Sequence, residues 1–186
     1  MTKNAPEMLI FQDEVEIHRH PARARRWAPV GVQPEVPAPG KNETKVVYGG
    51  VNYATGRITQ TLADTQSGVH FLAFLMVWVA TYAGRKIRLV CDNGRFRHTK
   101  AVQPWLAAPA DQITVFWLPP YGPSLNRIER LCGHLKRTVL ANVLFTTIDD
   151  LVAAFRHGVG WVNGHRERMG FMYDMYDHDD VYSKAA

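Results

Sequence analysis

Cysteine is scarce in this chain of 186 residues, and its scarcity argues against several classes of protein. The two cysteines, Cys91 and Cys132, belong to no Cys-x-x-Cys pair, so the usual spacing of a zinc site is missing. Two isolated thiols in a chain of this size fit a reducing cytosol better than secretion. We therefore expect a soluble, cytoplasmic protein.

Long hydrophobic runs and targeting signals are missing as well. The longest apolar run, FLAFLMVWVA at 71–80, has ten residues, about half of what a bilayer span needs. The N-terminal MTKNAPEMLIFQDE lacks the basic-then-apolar layout of a signal peptide. The segment GRITQTLADTQSG at 56–68 lacks the Gly-Lys-Ser/Thr ending of a P-loop. These absences disfavour membrane-spanning, secreted and P-loop proteins.

Positive charge is what the chain has in excess. It carries 22 Lys and Arg against 17 Asp and Glu, a net charge of +5. The excess is uneven, because residues 174–186 hold four Asp and one Lys, which leaves 21 − 13 = +8 on residues 1–173. The run HRHPARARR at 18–26 has four Arg, two His and no acid. A basic body indicates a polyanionic partner, although many basic proteins bind no nucleic acid.

The apolar periodicity predicts an α/β fold. Residues 8–17 are predicted to form a strand and 18–42 a long loop. The remaining predicted elements are a hairpin at 45–64 that turns at 54–56, a buried helix at 69–84, a strand at 86–93, a helix at 97–108, a strand at 113–120, and helices at 124–143 and 147–165. Three consecutive strands followed by alternating helices and strands indicate a mixed sheet with helices on its faces.

Two details accompany the helix predictions. Thr147 is the expected N-cap of the last helix. The helix at 124–143 should bury one apolar face with helical spacing, made of Leu125, Ile128, Cys132, Leu135 and Val139.

Two acidic residues follow apolar strand sequences. Asp13 ends the apolar part of the first strand, and Asp92 ends KIRLVCD. Ligands of open α/β sheets bind outside the carboxyl ends of the strands, so adjacent strands would place these acids side by side there. Neighbouring carboxylates repel each other, and a hard divalent cation such as Mg²⁺ removes that conflict. This pattern indicates a metal site.

A third carboxylate, Glu129, lies at the start of a helix whose entry is fixed by three prolines in LPPYGPSLNRIER at 118–130. A stiff entry aims the carboxylate at a preset point, as a metal site requires. The ordinary alternatives are a turn-forming Asp and a solvated Glu. Three acids compete with Asp13 for the first position: Glu14, Glu16 and Asp64. Strand alternation points Asp13 and Glu14 to opposite faces, so only one of them should join the site.

Three segments together resemble the DDE transposases of the mariner-like superfamily, in particular the bacterial insertion-sequence branch. They are FQDE at 11–14, LVCDNGRFRHTK at 89–100 and FWLPPYGPSLNRIERLCGHLKR at 116–137, and RRWAPVG at 25–31 is also similar. The resemblance runs from about residue 8 to 165. It implies a ribonuclease-H-like fold in which Asp13, Asp92 and Glu129 form a catalytic and metal-binding triad. The implied cofactor is a pair of Mg²⁺ ions, for which Mn²⁺ can substitute.

The resemblance also implies a function, namely metal-dependent DNA strand cleavage and strand transfer at insertion-sequence ends by a homodimer. The chain departs from the family pattern at Arg97, where a histidine is common, at Arg127, where a proline is common, and at Cys132, where a tryptophan is expected. Only twelve residues precede Asp13, too few for a helix-turn-helix unit. We expect residues 1–170 to be the catalytic domain and 171–186 an acidic, aromatic tail. The alternatives are an inactive DNA-binding or dimerisation remnant and a related metal-dependent nuclease.

Candidate DNA contacts come from the basic loop and from the resembling segments. A basic run can be merely solvated, but beside a metal triad it favours contact with the DNA backbone. Trp27 could stack on a base or pack the loop down, whereas Trp78, Trp105 and Trp117 are expected in the core. The candidate contacts are Arg23, Arg25, Arg26, Trp27, Arg95, Arg97, His98, Lys100, Asn126, Arg127, Lys136 and Arg137.

Overall fold

A computed structural model describes residues 7–38, 40–107, 112–120 and 125–169. The predicted tail at 171–186 and Pro123, one of the three prolines before Glu129, lie outside the described residues.

Five strands form one mixed sheet in the order β3-β2-β1-β4-β5. Their bounds are β1 Met8–His18, β2 Thr44–Asn52, β3 Ile58–Ala63, β4 Ile87–Cys91 and β5 Ile113–Trp117. β2 pairs antiparallel with β1 across the long loop at 19–43, and β3 pairs antiparallel with β2 across a short turn. After the first crossover helix, β4 pairs parallel with β1, and β5 pairs parallel with β4. The predicted mixed sheet is confirmed.

Four α-helices cover the sheet. They are α1 Gly68–Thr81, α2 Val102–Ala107, α3 Ile128–Leu135 and α4 Ile148–Gly164. Short 3₁₀ turns occur at Arg95–His98 and Arg166–Met169, and α3 continues as a π-helical stretch, Lys136–Leu140. Thr147 caps α4 as predicted, since its side chain accepts from the Asp150 N–H and the Asp150 carboxylate accepts from the Thr147 N–H. Among the described helices, none is long and apolar enough to cross a bilayer.

The core is two layers, one on each face of the sheet. Val15 and Ile17 of β1 pack with α3 and α4 on one face, whereas Met8 and Ile10 pack with α1 on the other. The alternation of side chains along β1 produces this division. We call the two sides the α3 face and the α1 face.

Trp78 is the largest side chain of the α1 face and is buried as predicted. It packs against the backbone of β2, where a Cβ on Gly50 would stand 2.6 Å from the indole ring. Only glycine allows this approach. Trp105 and Trp117 are partly buried at the margin of the same cluster.

Two helix predictions are corrected. The helix predicted over 97–108 is divided into a 3₁₀ turn and α2. The helix predicted from 124 begins at Ile128 instead, because Asn126 is fixed to β1 and the chain becomes helical only after it. Leu125 is therefore 53% exposed rather than on the buried face, and Leu131 is buried in that cluster.

Candidate active site

Asp13 and Asp92 flank the point where β1 and β4 part. The parallel pairing of these strands ends with Phe11 opposite Val90, and β4 ends at Cys91. Carrying this register on by two residues places position 13 beside position 92. Residues side by side in parallel strands direct their side chains to the same face. Asp13 is thus in the middle of β1 but beyond the end of its parallel pairing, where ligands of α/β sheets bind.

Helix α3 brings Glu129 over this point. The Asn126 side-chain N–H donates to the backbone oxygen of Gln12 at 2.9 Å and fixes the start of the helix against β1. Next to it, Ile128 is buried above Gly49, the residue directly opposite Asp13 in the β1–β2 ladder. Glu129 stands in the first turn of α3 and is exposed.

The charges at this edge are unbalanced. Burial raises the pKa of the Asp13 carboxyl, and the nearby Glu129 carboxylate acts in the same direction, against the positive charges of Arg97 and Lys136. Asp13 accepts a hydrogen bond from the Glu14 N–H at 2.9 Å. Within the described ranges, no Lys, Arg or His nitrogen forms a direct ion pair with it. A half-buried carboxylate beside a second one, with no ion-pair partner, has the chemistry of a ligand for a hard cation.

The prediction that Arg97 contacts DNA is corrected, because this side chain is completely buried. Its guanidinium forms ion pairs with Asp92 and Glu14 and donates to the side-chain oxygen of Gln12 at 3.2 Å. The aromatic rings of Phe71 and Phe96 lie against it. A polar sequence segment favours the surface for an arginine, and the two carboxylate partners of Arg97 override that preference.

Glu14 points to the opposite face from Asp13, as alternation predicts. Its carboxylate accepts from the Gln12 side-chain amide at 2.8 Å and pairs with Arg97. Burial raises the pKa of Glu14, whereas the guanidinium opposes that rise. The other two rivals lie away from Asp13: Glu16 is exposed, and Asp64 is exposed and pairs with Lys45.

The three predicted triad residues are not grouped closely enough to hold one metal ion together. In the part of the chain that the structure describes, no three His, Cys, Asp or Glu side chains stand close enough together to hold a metal ion. Asp13 and Asp92 share an edge and Glu129 lies above it, but the Asp92 Oδ1 atom is engaged by Arg97. The donor chemistry fits a hard divalent cation, for which Asp92 Oδ1 is engaged by Arg97.

The basic loop between β1 and β2 is fixed at its base and exposed beyond it. Asn142, at a φ of 60°, donates to the Ala24 oxygen and accepts from the Ala24 N–H, both at 3.1 Å. Ala22 and Ala141 form an isolated bridge beside this contact. The loop residues predicted to meet DNA are all exposed: Arg23, Arg25, Arg26 and Trp27. Full exposure of Trp27 excludes its packing the loop down.

The other candidate DNA contacts differ in exposure. Asn126 is buried and bonded to Gln12, so its prediction as a DNA contact is wrong. Arg127 is half-buried, and the others are exposed: Arg95, His98, Lys100, Lys136 and Arg137. The His98 ring lies 4.6 Å from Trp117, centroid to centroid, and bonds to the Asn93 and Gln103 side chains. The positive charge of Lys136 is close enough to Asp13 to oppose the rise that burial causes in the pKa of that carboxyl.

Sequence reasoning missed two residues that shape the site, Gln12 and Asn142, and named Glu14 only as a rival ligand. Gln12 and Glu14 hold Arg97. The one sequence signal for this pair is that both flank Asp13 on β1 and so share the opposite face of the strand. Asn142 fixes the basic loop, and asparagine after a helix is a known candidate for the left-handed conformation.

Comparisons with known proteins identify the family and the fold of the chain. Residues 8–152 match the family described as DDE superfamily endonuclease. The chain is 30% identical over 155 residues to an uncharacterized 39 kDa protein of insertion element IS630 from Shigella sonnei. The aligned region covers 83% of this chain and 45% of that protein. The chain thus spans less than half of that relative.

Solved structures show the same fold. The Mos1 strand transfer complex is similar with a TM-score of 0.59 and 15% identity, over 90% of this chain and 55% of that one. The HTLV-2 integrase catalytic core domain in complex with magnesium has a TM-score of 0.51 and 12% identity, over 85% of this chain and 86% of that one. The predicted ribonuclease-H-like fold is confirmed.

Proposed function

Because the chain belongs to the DDE superfamily of endonucleases, we propose that it is the catalytic part of a transposase that cleaves and joins DNA strands through Asp13, Asp92 and Glu129. The observation that supports this proposal is the parallel pairing of β1 and β4, which ends two residues before Asp13 and two residues before Asp92, while the first turn of α3 brings Glu129 near Asp13.

The proposed role of each triad residue follows from the strand or helix on which it lies. Asp13 and Asp92 are set by the sheet and would hold the metal from below, whereas Glu129 would complete the site from the first turn of α3. Two bound Mg²⁺ or Mn²⁺ ions would supply activation of water, or of a DNA 3′-hydroxyl, and stabilisation of the leaving oxygen. Lys136, near Asp13, adds positive charge where a phosphate would lie.

DNA is the proposed substrate, both as insertion-sequence ends and as target. The support is the basic loop and the relation to an insertion-element protein. The exposed arginines of this loop would contact phosphates, and Trp27 would stack on a base. Phosphate contacts position a protein without reading sequence, so this loop alone predicts affinity rather than specificity. We place this activity in the cytoplasm, where both free thiols persist.

A homodimer is the proposed active assembly, and α1 offers a surface for it. Along one side of α1, five exposed apolar residues follow helical spacing: Val69, Ala73, Met76, Val77 and Ala80. This stripe carries no charge, so a second copy can meet it across a two-fold axis without repulsion. Val77→Glu should give a monomer in sedimentation. Val143→Glu is the matched control, since Val77 and Val143 are 38% and 39% exposed. Equal sedimentation of both variants and wild type would exclude this face.

Metal binding tests the triad directly. The chain should be stabilised against heat by Mg²⁺ or Mn²⁺ through mass action. Asp92→Asn, Asp13→Asn and Glu129→Gln should each lose this stabilisation and Mn²⁺-dependent nicking of DNA. Asp64→Asn is the control, because it removes an exposed aspartate at another edge of the sheet. Nicking that persists in Asp92→Asn would remove that residue from the triad, and wild type without any metal response would favour an inactive remnant.

A further inference from the structure

Arg97 is a buried cation that reaches the proposed metal site from the α1 face. Its side chain is 0% exposed, and its guanidinium carbon lies 4.6 Å from the centroid of Phe96 and 5.3 Å from that of Phe71. From there Nη1 pairs with Asp92 Oδ1 and donates to the Asp92 backbone oxygen at 3.3 Å. The guanidinium therefore connects Asp92, at the end of β4, with the α1 face of β1.

The guanidinium is shared between two unlike carboxylates. The side chain of Glu14 is 5% exposed, whereas that of Asp92 is 57% exposed. Separating a buried ion pair leaves an uncompensated buried charge, which is far more costly than releasing a carboxylate that water can solvate. Glu14 is consequently the fixed partner of Arg97, and Asp92 is the partner that can be exchanged.

The turn after β4 holds Asp92 against Arg97. The Gly94 N–H donates to Asp92 Oδ1 at 3.2 Å, and the Arg97 N–H donates to the Gly94 oxygen at 3.0 Å. A Cβ on Gly94 would stand 2.8 Å from Arg97 Nη1 and 3.3 Å from Asp92 Oδ1. The ion pair thus depends on the absence of a side chain at position 94.

We propose that Arg97 is a positioning residue that occupies Asp92 Oδ1 in the metal-free protein and competes with the divalent cation for it, while Glu14 sets the strength of that competition. This inference rests on the proposed function of Asp92. A cation and a guanidinium at one oxygen repel each other, so Arg97 lowers metal affinity. Glu14 draws the guanidinium back and so favours the metal.

Mn²⁺ affinity, measured by the electron paramagnetic resonance of free Mn²⁺, tests the proposal without any activity assay. Glu14→Gln leaves Arg97 with Asp92 as its one acidic partner and should weaken Mn²⁺ binding by about tenfold, or ~1.4 kcal/mol. Adding Arg97→Gln to that variant should restore wild-type affinity or exceed it. Adding Arg97→Lys instead keeps the charge and should leave binding weak. A residue with only a structural role would not restore binding on removal.

Folding is checked for each variant by circular dichroism in metal-free buffer. Replacing both members of a buried ion pair is often tolerated. If the double variant does not fold, Gly94→Ala takes its place, because its Cβ moves Nη1 away from Asp92 without changing any charge, and it should tighten Mn²⁺ binding.

The outcomes separate this inference from the proposed function. Mn²⁺ binding equal in wild type and Asp92→Asn would refute the metal site and the role of Arg97 together. Binding that needs Asp92, but is no tighter in Glu14→Gln/Arg97→Gln than in Glu14→Gln, and is not tightened in Gly94→Ala, would refute the role of Arg97 alone. Recovery in the double variant with Gln, and none with Lys, supports it.

Discussion

Asn142 fixes the base of the basic loop, and two substitutions there separate its hydrogen bonds from its backbone conformation. Asn142→Gly keeps the left-handed φ of 60° and removes both side-chain bonds to Ala24. At about 0.5–1.5 kcal/mol for each bond, the free energy of unfolding should fall by about 1–3 kcal/mol. The backbone bond from the Asn142 N–H to the Ala22 oxygen, at 2.8 Å, stays in place.

Asn142→Ala removes the same bonds and also places a Cβ in the left-handed region, at a cost of roughly 1–2 kcal/mol. Alanine recovers part of this because it restricts the unfolded chain more than glycine does. The alanine variant should therefore be less stable than the glycine variant by about 1 kcal/mol.

Urea unfolding at pH 7 measures both changes, with equal m-values as the check that only stability has changed. An alanine variant as stable as the glycine variant would show that position 142 is not held in the left-handed region. A glycine variant within about 0.5 kcal/mol of wild type would show that the contacts to Ala24 contribute nothing.

Three further predictions concern the core, the site and the loop. Gly50→Ala should lose about 1–3 kcal/mol of stability in urea, because its Cβ would meet Trp78 at 2.6 Å, whereas Gly49→Ala, with its nearest atom at 3.5 Å, should be tolerated; equal losses would contradict the packing. Burial raises the pKa of Asp13, so the folded state holds this proton to higher pH than the unfolded chain does. In metal-free buffer Asp13→Asn should therefore be more stable than wild type at pH 7, and the advantage should shrink as pH falls through the raised pKa and be lost below the unfolded pKa of about 3.9; an advantage that grows on acidification would reverse the sign. Replacing the three loop arginines by alanine should reduce the slope of log affinity for duplex DNA against log salt by roughly 0.9 for each lost phosphate contact, and an unchanged slope would leave Arg23, Arg25 and Arg26 as solvated charges.

The strand pattern of the sequence predicted most of the fold. The apolar run that turns into alternation located β1, because a strand buried on both faces is apolar at successive positions. The hairpin and the crossover order located the mixed sheet. The same alternation assigned Asp13 and Glu14 to opposite faces correctly.

What the sequence could not predict is the direction in which polar side chains turn. Arg97 and Asn126 belong to polar segments, and each is buried beside a distant partner on β1, which is Glu14 for Arg97 and the Gln12 backbone oxygen for Asn126. Such partners lie more than 80 residues away in sequence, so no local pattern reveals them. Helix α3 starts later than predicted for the same reason, because Asn126 is bonded to the distant Gln12 backbone oxygen.

The helix that begins beside Glu129 connects the proposed site to the base of the basic loop. Asn126 ties its start to β1 three residues before Glu129, and Ala141 just beyond its far end bridges to Ala22. Between these two ends Leu131, Leu135 and Leu140 are buried in the core. A displacement of the loop base would therefore have to shift closely packed side chains before it reached position 129, so the two ends of the helix are mechanically separated.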